Sequence, residues 1–240
     1  MMWAYVTTSA IVLFTLLTGS ATQNPADRNQ VAPAIQIDHI IVAISDLEVG
    51  IREVERITGI QPVYGGNHPG GGTQNALIAL GPEQYLEILA PQPDIELPES
   101  LDWLLQTSEL TPVGWASSTT NIADTLELLR SNGYEMSTPV PGSRARPDGI
   151  TLTWVTMSIV DPQIAGAPFF IEWGDAAAHP AKTSPAGCRL RSLTVSSPEE
   201  AALGRLIEVL GLDVVVGSGN APEAALQIVL DCPTGTVVLK

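Results

Sequence analysis

One pattern recurs three times along this chain. An alternating apolar run leads into a capped amphipathic stretch that ends at a glycine, and short strand-like runs follow. "QIDHIIVAISDLEVGIREVERITG" alternates from Ile37 to Ile44, with Ser45 and Glu48 at capping-box spacing; Leu47, Ile51 and Val54 share one helical face, and Gly59 is the stop. "PVGWASSTTNIADTLELLRSNGY" repeats the order, with Asn121 as cap, Ile122, Leu126 and Leu129 on the inward stripe, and Gly133 as stop. "CRLRSLTVSSPEEAALGRLIEVLGL" repeats it again: Ser197 caps, Pro198 takes the first helical position, Leu203, Leu206, Ile207 and Leu210 face inward, and Gly211 stops. The first helix is followed by "PVYGG", "TQNALIAL" and "YLEILA", the second by "YEMSTP", "GITLTWVTMSI" and "FFIEW", and the third by "DVVVG", "AALQIVLD" and "TVVLK". Each unit therefore reads βαβββ. The fold class is α+β, with repeated βαβββ modules forming curled mixed sheets and helices outside.

Composition narrows the function classes. With 240 residues, 45% apolar and 15% charged, the chain is globular and long enough for one or two cores. Its 26 acidic and 11 basic side chains give a net charge of −15, which disfavours a phosphate backbone or an anionic membrane surface, so no nucleic-acid partner is expected. Cys188 and Cys232 lie in no CxxC and have no histidine at zinc-site spacing; one disulfide in an oxidising compartment and two buried thiols both remain open. Residues 1–21 carry an apolar stretch from Ala10 to Leu17 followed by Gly19, Ser20 and Ala21, without a preceding Lys or Arg. This reads as a signal peptide or membrane anchor, against an over-extended start. Secreted, periplasmic or membrane-anchored localisation follows if the signal is real, and cytoplasmic otherwise. Residues 22–34 read as a linker, 35–185 as two modules and 186–240 as a third, degenerate one.

The stretch "IDHIIVAISDLE…HPGGGTQNALIALG…YLEILAP", with "SRARPDGITLTW", "PFFIEW" and His179-Pro180 later, resembles the glyoxalase-like group of the vicinal oxygen chelate (glyoxalase/bleomycin resistance/dioxygenase) superfamily. The resemblance covers residues 37 to about 185. It implies two modules closing a cup around a divalent ion, held by residues of the first and last strand of each. Carried over by position, it implies His39, Glu87 and Glu172 as metal ligands, with Glu172 or Glu87 as catalytic base. The fourth position falls near Gly114 or Trp115, which offer no ligand. One imidazole and two carboxylates suit Zn, Mn, Fe(II) or Ni with open water sites.

Read without the resemblance, His39 shares a strand face with Ile37 and Ile41, where a core histidine with a satisfied hydrogen bond is the ordinary case. Glu87 and Glu172 each sit in an apolar strand, and a carboxylate there must meet a cation, a donor network or water. "GGGTQNALIAL" runs into a strand with no lysine nearby, so the glycines turn the backbone at the lip of the cup rather than cradle a phosphate. His68 and Asn75 can point into the pocket or stabilise the turn. Arg144 and Arg146 can select an anionic ligand or pair with surface acids. Trp154, Trp173 and Trp115 form an aromatic wall or core. In the third module Ser192 and Val238 stand near the His39 and Glu87 positions, leaving that module to cover a sheet edge, pack against the first pair or form a homodimer interface. Two functions remain: a metal-dependent lyase, isomerase or dioxygenase-like enzyme on a small oxygenated substrate, or a metal-free binding protein of the bleomycin-resistance type.

Overall fold

The computed structural model describes residues 33–240 except Pro69 and Pro147. The apolar N-terminal segment and the linker up to Ala32 lie outside the described residues. Along the chain come β1 (Ile35–Ala43), α1 (Leu47–Thr58), β2 (Val63–Asn67), β3 (Thr73–Gly81) and β4 (Gln84–Pro91). A 3-10 segment at Glu99–Gln106 leads to β5 (Thr111–Thr119), α2 (Ile122–Ser131), β6 (Glu135–Met136), β7 (Val140–Ala145), β8 (Thr151–Met157), β9 (Ile159–Asp161) and β10 (Phe169–Trp173). Two 3-10 turns, Ala176–Ala178 and Pro180–Lys182, precede β11 (Arg189–Ser197), α3 (Glu200–Leu210), β12 (Val215–Ser218), β13 (Ala225–Cys232) and β14 (Gly235–Leu239). No helix among the described residues is long and apolar enough to cross a membrane.

The first two repeats share one eight-stranded sheet in the order β2-β3-β4-β1-β5-β10-β8-β7. Within each repeat the first strand runs parallel to the last, β1 with β4 and β5 with β10, while β1 and β5 meet antiparallel at the centre. The order therefore reads the same from either edge, as a local two-fold requires. Twist curls the sheet until its edge strands approach: a Cβ on Gly66 of β2 would lie 3.2 Å from the carbonyl oxygen of Ala145 on β7. This is the curled mixed sheet expected from the repeats and from the resemblance they carry.

Alternation along the strands gives the sheet two unlike faces. Ile40 and Val42 of β1, Ile78 of β3, Leu86 and Ile88 of β4, and Phe170 of β10 join one core with Leu47 and Val54 of α1 and Leu129 of α2. Trp115 belongs to that convex face, not to an aromatic wall of the cup, and its indole N–H donates to the carbonyl of Gly166 at 2.9 Å. The concave face carries Leu77, Ala79 and Tyr85, with Ala181 and Trp173 packed against them.

The caps follow the sequence with adjustments of one or two residues. Asp46, rather than Ser45, caps α1 by accepting from the Val49 amide at 3.0 Å. Asn121 caps α2 through the amides of Ala123 and Asp124, and Gly59 and Gly211 adopt the left-handed conformation after α1 and α3. Ser197 stands two residues before the observed cap Glu199, whose amide it accepts at 3.1 Å.

The third repeat keeps the element order but not the strand order. Its sheet runs β12-β11-β13-β14, so the last strand does not lie beside the first. Val238 is consequently exposed on an outer strand, far in topology from Ser192, and the two do not reproduce the Glu87 and His39 positions. Its apolar residues Leu193, Val195, Ile228 and Leu230 belong to the same core as Ile40 and Leu86. A disulfide joins Cys188 and Cys232, with Cα atoms 4.2 Å apart, which decides between the two states left open for the cysteines.

Candidate functional site

The concave face gathers all three histidines of the sequence around two carboxylates. A register shift in the β1–β5 ladder between Ile37 and His39 begins the arrangement. Strict alternation would point Asp38 away from His39; the bulge turns both into the chamber, while Ile37 packs with the convex core. His39 of β1 and Glu87 of β4 then face one another, with His39 Nε2 3.5 Å from Glu87 Oε2. Both are buried, at 3% and 5% exposure. Tyr85, two residues before Glu87, stacks on the His39 ring at 4.6 Å between centroids.

The hydrogen-bond partners assign every tautomer. Asp38 only accepts, so His39 carries its proton on Nδ1 and donates to Asp38 Oδ1 at 2.6 Å. The other Asp38 oxygen accepts from Trp173 Nε1 at 3.0 Å and from His179 Nε2 at 3.1 Å. His179 Nδ1 in turn accepts the Ala181 amide at 3.2 Å. Arg144 only donates, and its Nη1 bonds Asn75 Oδ1 at 2.9 Å, which fixes the amide orientation. Asn75 Nδ2 then donates to Glu87 Oε1 at 2.7 Å and to His68 Nε2 at 3.2 Å. That leaves the His68 proton on Nδ1, donated to Thr73 Oγ1 at 2.9 Å. Two facing pairs in this network are acceptor against acceptor: His68 Nε2 with Glu87 Oε1 at 3.5 Å, which Asn75 Nδ2 bridges by donating to both, and His39 Nε2 with Glu87 Oε2, where a proton between the two atoms is needed to join them.

Electrostatics follow from these contacts. Burial alone would raise Asp38, but the hydrogen bonds from His179 and His39 outweigh it and hold the carboxyl well below the usual range. Burial likewise opposes ionisation of Glu87, yet His68, His39, the Asn75 hydrogen bond and Arg144 keep it below its ordinary value. Burial pushes the His68 imidazole down, with Glu87 opposing. Tyr85 is raised well above a free phenol by burial and by the Asp38 and Glu87 charges.

Two clefts reach the network from solvent. One, of ≈ 480 Å³, is lined by His68 with Asn67, Gly72, Gln92 and Leu97. Its glycines do what the sequence suggested: Gly70 and Gly72 take φ of 71° and 65°, and β3 begins at Thr73. The other, of ≈ 180 Å³, lies on the seam between β2 and β7 and is lined by Arg144, Arg146, Leu77, Leu152, Pro180 and Ser184 among others. Arg146 pairs with Asp148 at 2.6 Å. Trp154 lines neither cleft; it meets Trp173 edge-on at 5.7 Å.

Glu172 is elsewhere. On β10, Phe170 joins the convex core and Trp173 reaches Asp38, so Glu172 shares the convex face with Phe170. Its Oε2 accepts the Ile122 amide at 2.6 Å, at the N-terminus of α2, where a carboxylate complements the helix dipole. The expectation that His39, Glu87 and Glu172 converge is therefore corrected: a one-residue step on a strand reverses the face. The β10 positions on the chamber side are Phe169, Ile171 and Trp173, and Ala116 of β5 lies across from His39. None is a metal ligand.

The donor set does not fit the ion that the resemblance implies. Among the described residues no three His, Cys, Asp or Glu side chains are placed to hold a metal. His68 brings a second imidazole nitrogen 3.5 Å from Glu87 Oε1, but Asn75 donates to that same oxygen and to that same nitrogen. Sequence reasoning missed Asp38 and His179. An acid in the middle of an apolar strand was the available signal for Asp38. Glu172→Gln is expected to lose about 1 kcal/mol of stability through the weakened charge–dipole contact. Urea unfolding would measure it, with the histidine NMR signals unmoved.

The sequence model of a glyoxalase-like domain matches residues 37–211. No curated protein matches the chain. Among solved structures, a hypothetical protein from Staphylococcus aureus is 18% identical with a TM-score of 0.56, the match covering 86% of each chain. Methylmalonyl-CoA epimerase from Mycobacterium tuberculosis is 21% identical with a TM-score of 0.41, over 57% of this chain and 85% of the other. A Streptomyces coelicolor methylmalonyl-CoA epimerase in complex with 2-nitronate-propionyl-CoA is 16% identical with a TM-score of 0.40, over 58% and 97%. At these identities the likeness concerns the fold.

Proposed function

The chain belongs to the glyoxalase-like domain family, and from that premise we propose that its chamber binds a small oxygenated molecule and moves a proton on it without a bound metal. The observation that carries this reading is the His39–Glu87 pair. Asp38 holds the His39 proton on Nδ1, leaving Nε2 to face Glu87 across 3.5 Å. A single transferable proton between a nitrogen and a carboxylate is what general acid–base chemistry at a carbon next to a carbonyl needs. The base takes the carbon's proton and its conjugate acid returns it, so the reaction class is isomerase or lyase. Asp38 is a positioning residue, acting through the His39 tautomer. His68 and His39, then the Asn75 hydrogen bond and Arg144, hold Glu87 below its ordinary value, a part that an ion would play in a chelating site.

Histidine NMR tests this without a known substrate. In the wild-type protein, long-range nitrogen–proton correlations are expected to show His39 and His68 protonated on Nδ1 and His179 on Nε2. Asp38→Asn can keep its oxygen toward Trp173 and His179 only by turning its amide N–H₂ toward His39. The expected outcome is a His39 tautomer shifted to Nε2–H. An unchanged His39 signal in that variant removes the positioning role. Addition of Zn, Mn, Fe(II) or Ni is expected to leave the His39 and His68 signals in place, and stoichiometric shifts of both would return the site to metal chemistry.

A second reading is binding without catalysis. The depth of the pair favours it, because at 3% and 5% exposure a ligand reaches His39 and Glu87 only if the chamber opens. We propose export as well, compatible with either reading and supported by two features: a disulfide is at home in an oxidising compartment, and the N-terminal sequence carries an apolar stretch followed by small residues.

A further inference from the structure

We propose that the seam cleft between β2 and β7 is the ligand subsite, and that it takes a small organic monocarboxylate with a short apolar chain through Arg144. The proposal rests on the reading of the chamber as a small-molecule site and names the chemical class that enters it. Arg144 is 5% exposed, yet no acid among the described residues pairs with it. One of its five N–H donors is used, by the neutral amide oxygen of Asn75. The nearest carboxylate in the network, Glu87, lies on the far side of that amide and is already shared with His39 and His68. A buried guanidinium without an ionic partner is costly, and the remaining donors of its fork suit a carboxylate bidentately.

The surroundings are shaped for this. Gly65 and Gly66 of β2 stand against the guanidinium: a Cβ on either would lie 3.1 or 3.2 Å from Arg144 Nη1. At Gly65 the same Cβ would also collide with Asn75 Oδ1. The strand therefore leaves room for the charged head at the place where the curled sheet fails to close. The apolar wall of the cleft comes from Val63, Leu77, Leu152 and Pro180, with Thr183 and Ser184 at one side and the mutually paired Arg146 and Asp148 also in the lining. An ion as hydrated as phosphate gains nothing from that apolar wall, whereas an alkyl chain does. Its ≈ 180 Å³ is close to the engineered apolar cavity of about 150 Å³ that takes a benzene ring, which sets the ligand at roughly six to eight heavy atoms. Arg146 at the rim is already neutralised by Asp148 and is not the anchor.

Calorimetric titration in low-chloride buffer tests the assignment with butyrate, the isosteric neutral butyramide and inorganic phosphate. Butyrate is expected to bind, with butyramide and phosphate at least tenfold weaker. Arg144→Gln is expected to weaken butyrate at least tenfold, Arg144→Lys by less, and Arg146→Gln by under threefold. Circular dichroism and urea unfolding confirm that each variant is folded. Lys guards against a fold defect in Gln, since it keeps the charge without the fork. Equal binding of butyramide, tighter binding of phosphate, or unchanged butyrate affinity in a folded Arg144→Gln overturns the proposal. So does wild-type protein that binds no butyrate while showing the expected histidine tautomers, an outcome that leaves the proton-transfer reading standing.

Discussion

Asp38→Ala is expected to lower stability by about 3–5 kcal/mol, the usual loss when one partner of a buried charged network is removed. Asp38 is wholly buried and accepts from three donors at once: His39 Nδ1, His179 Nε2 and Trp173 Nε1. Alanine leaves all three without a partner in a place water does not reach, and an unsatisfied buried donor costs about 1–3 kcal/mol. Against a total of about 5–15 kcal/mol for a typical domain, this is among the largest single losses available outside the apolar core. Urea unfolding at pH 7 measures it through the shift in midpoint. A loss under 1 kcal/mol would mean that the three donors find other partners and that the network is not the keystone of the chamber.

The same contacts set the direction of acid sensitivity. Asp38 and Glu87 are both held below their ordinary values, near 3.8 and 4.5 in the unfolded chain. Their contribution is fully present above those values and is lost as pH falls through the lower folded ones. His68 adds to it in the same direction. Its folded value lies below 6.5, so between the two values the unfolded chain binds a proton that the folded one does not, and stability falls with pH there too. Wild-type stability therefore declines from about pH 6.5 downward and more steeply near pH 4, and Asp38→Ala flattens the lower part.

Much of this architecture could be read from residue order alone, because each repeat carries local signals: alternation at Ile37–Ile44, a cap at Asn121, stops at Gly59 and Gly211. The site was legible only in part. His39 and Glu87 do meet, since their strands lie side by side in parallel. Glu172 was misplaced because a strand offers its two faces at alternate residues, and matching "FFIEW" to "YLEILA" by eye fixes the strand but not the parity. Asp38 was hidden by the opposite error: a bulge broke an alternation that the sequence shows as regular. His179 could not be assigned at all, because it arrives on the segment between β10 and β11, whose path across the concave face depends on non-local contacts. The strand order of the third repeat has the same origin. Element order is local information, whereas the neighbour each strand chooses is not.

That crossing segment makes the disulfide the second large lever. It runs from the end of β10 to Cys188, and on the way the Pro185 carbonyl accepts the Ala79 amide at 2.8 Å, while Ala181 packs with Leu77 and Tyr85. Cys188 and Cys232 are 44 residues apart in sequence, and closing a loop of that length restricts the unfolded chain by about 4 kcal/mol in the chain-entropy account. Cys188→Ala with Cys232→Ala should therefore lower stability by roughly that amount and Tm by roughly 10 °C for a folded unit of this size. The effect should not stop at global stability. With one end of the segment released, local opening becomes easier around the Ala79 amide and around His179, the partner of Asp38. Hydrogen exchange at Ala79 is expected to quicken more than at Ile78, its neighbour on the convex core side. Equal Tm for the oxidised protein and the double variant would show that the segment is held by its packing alone. Slower or equal exchange at Ala79 would separate the bridge from the chamber.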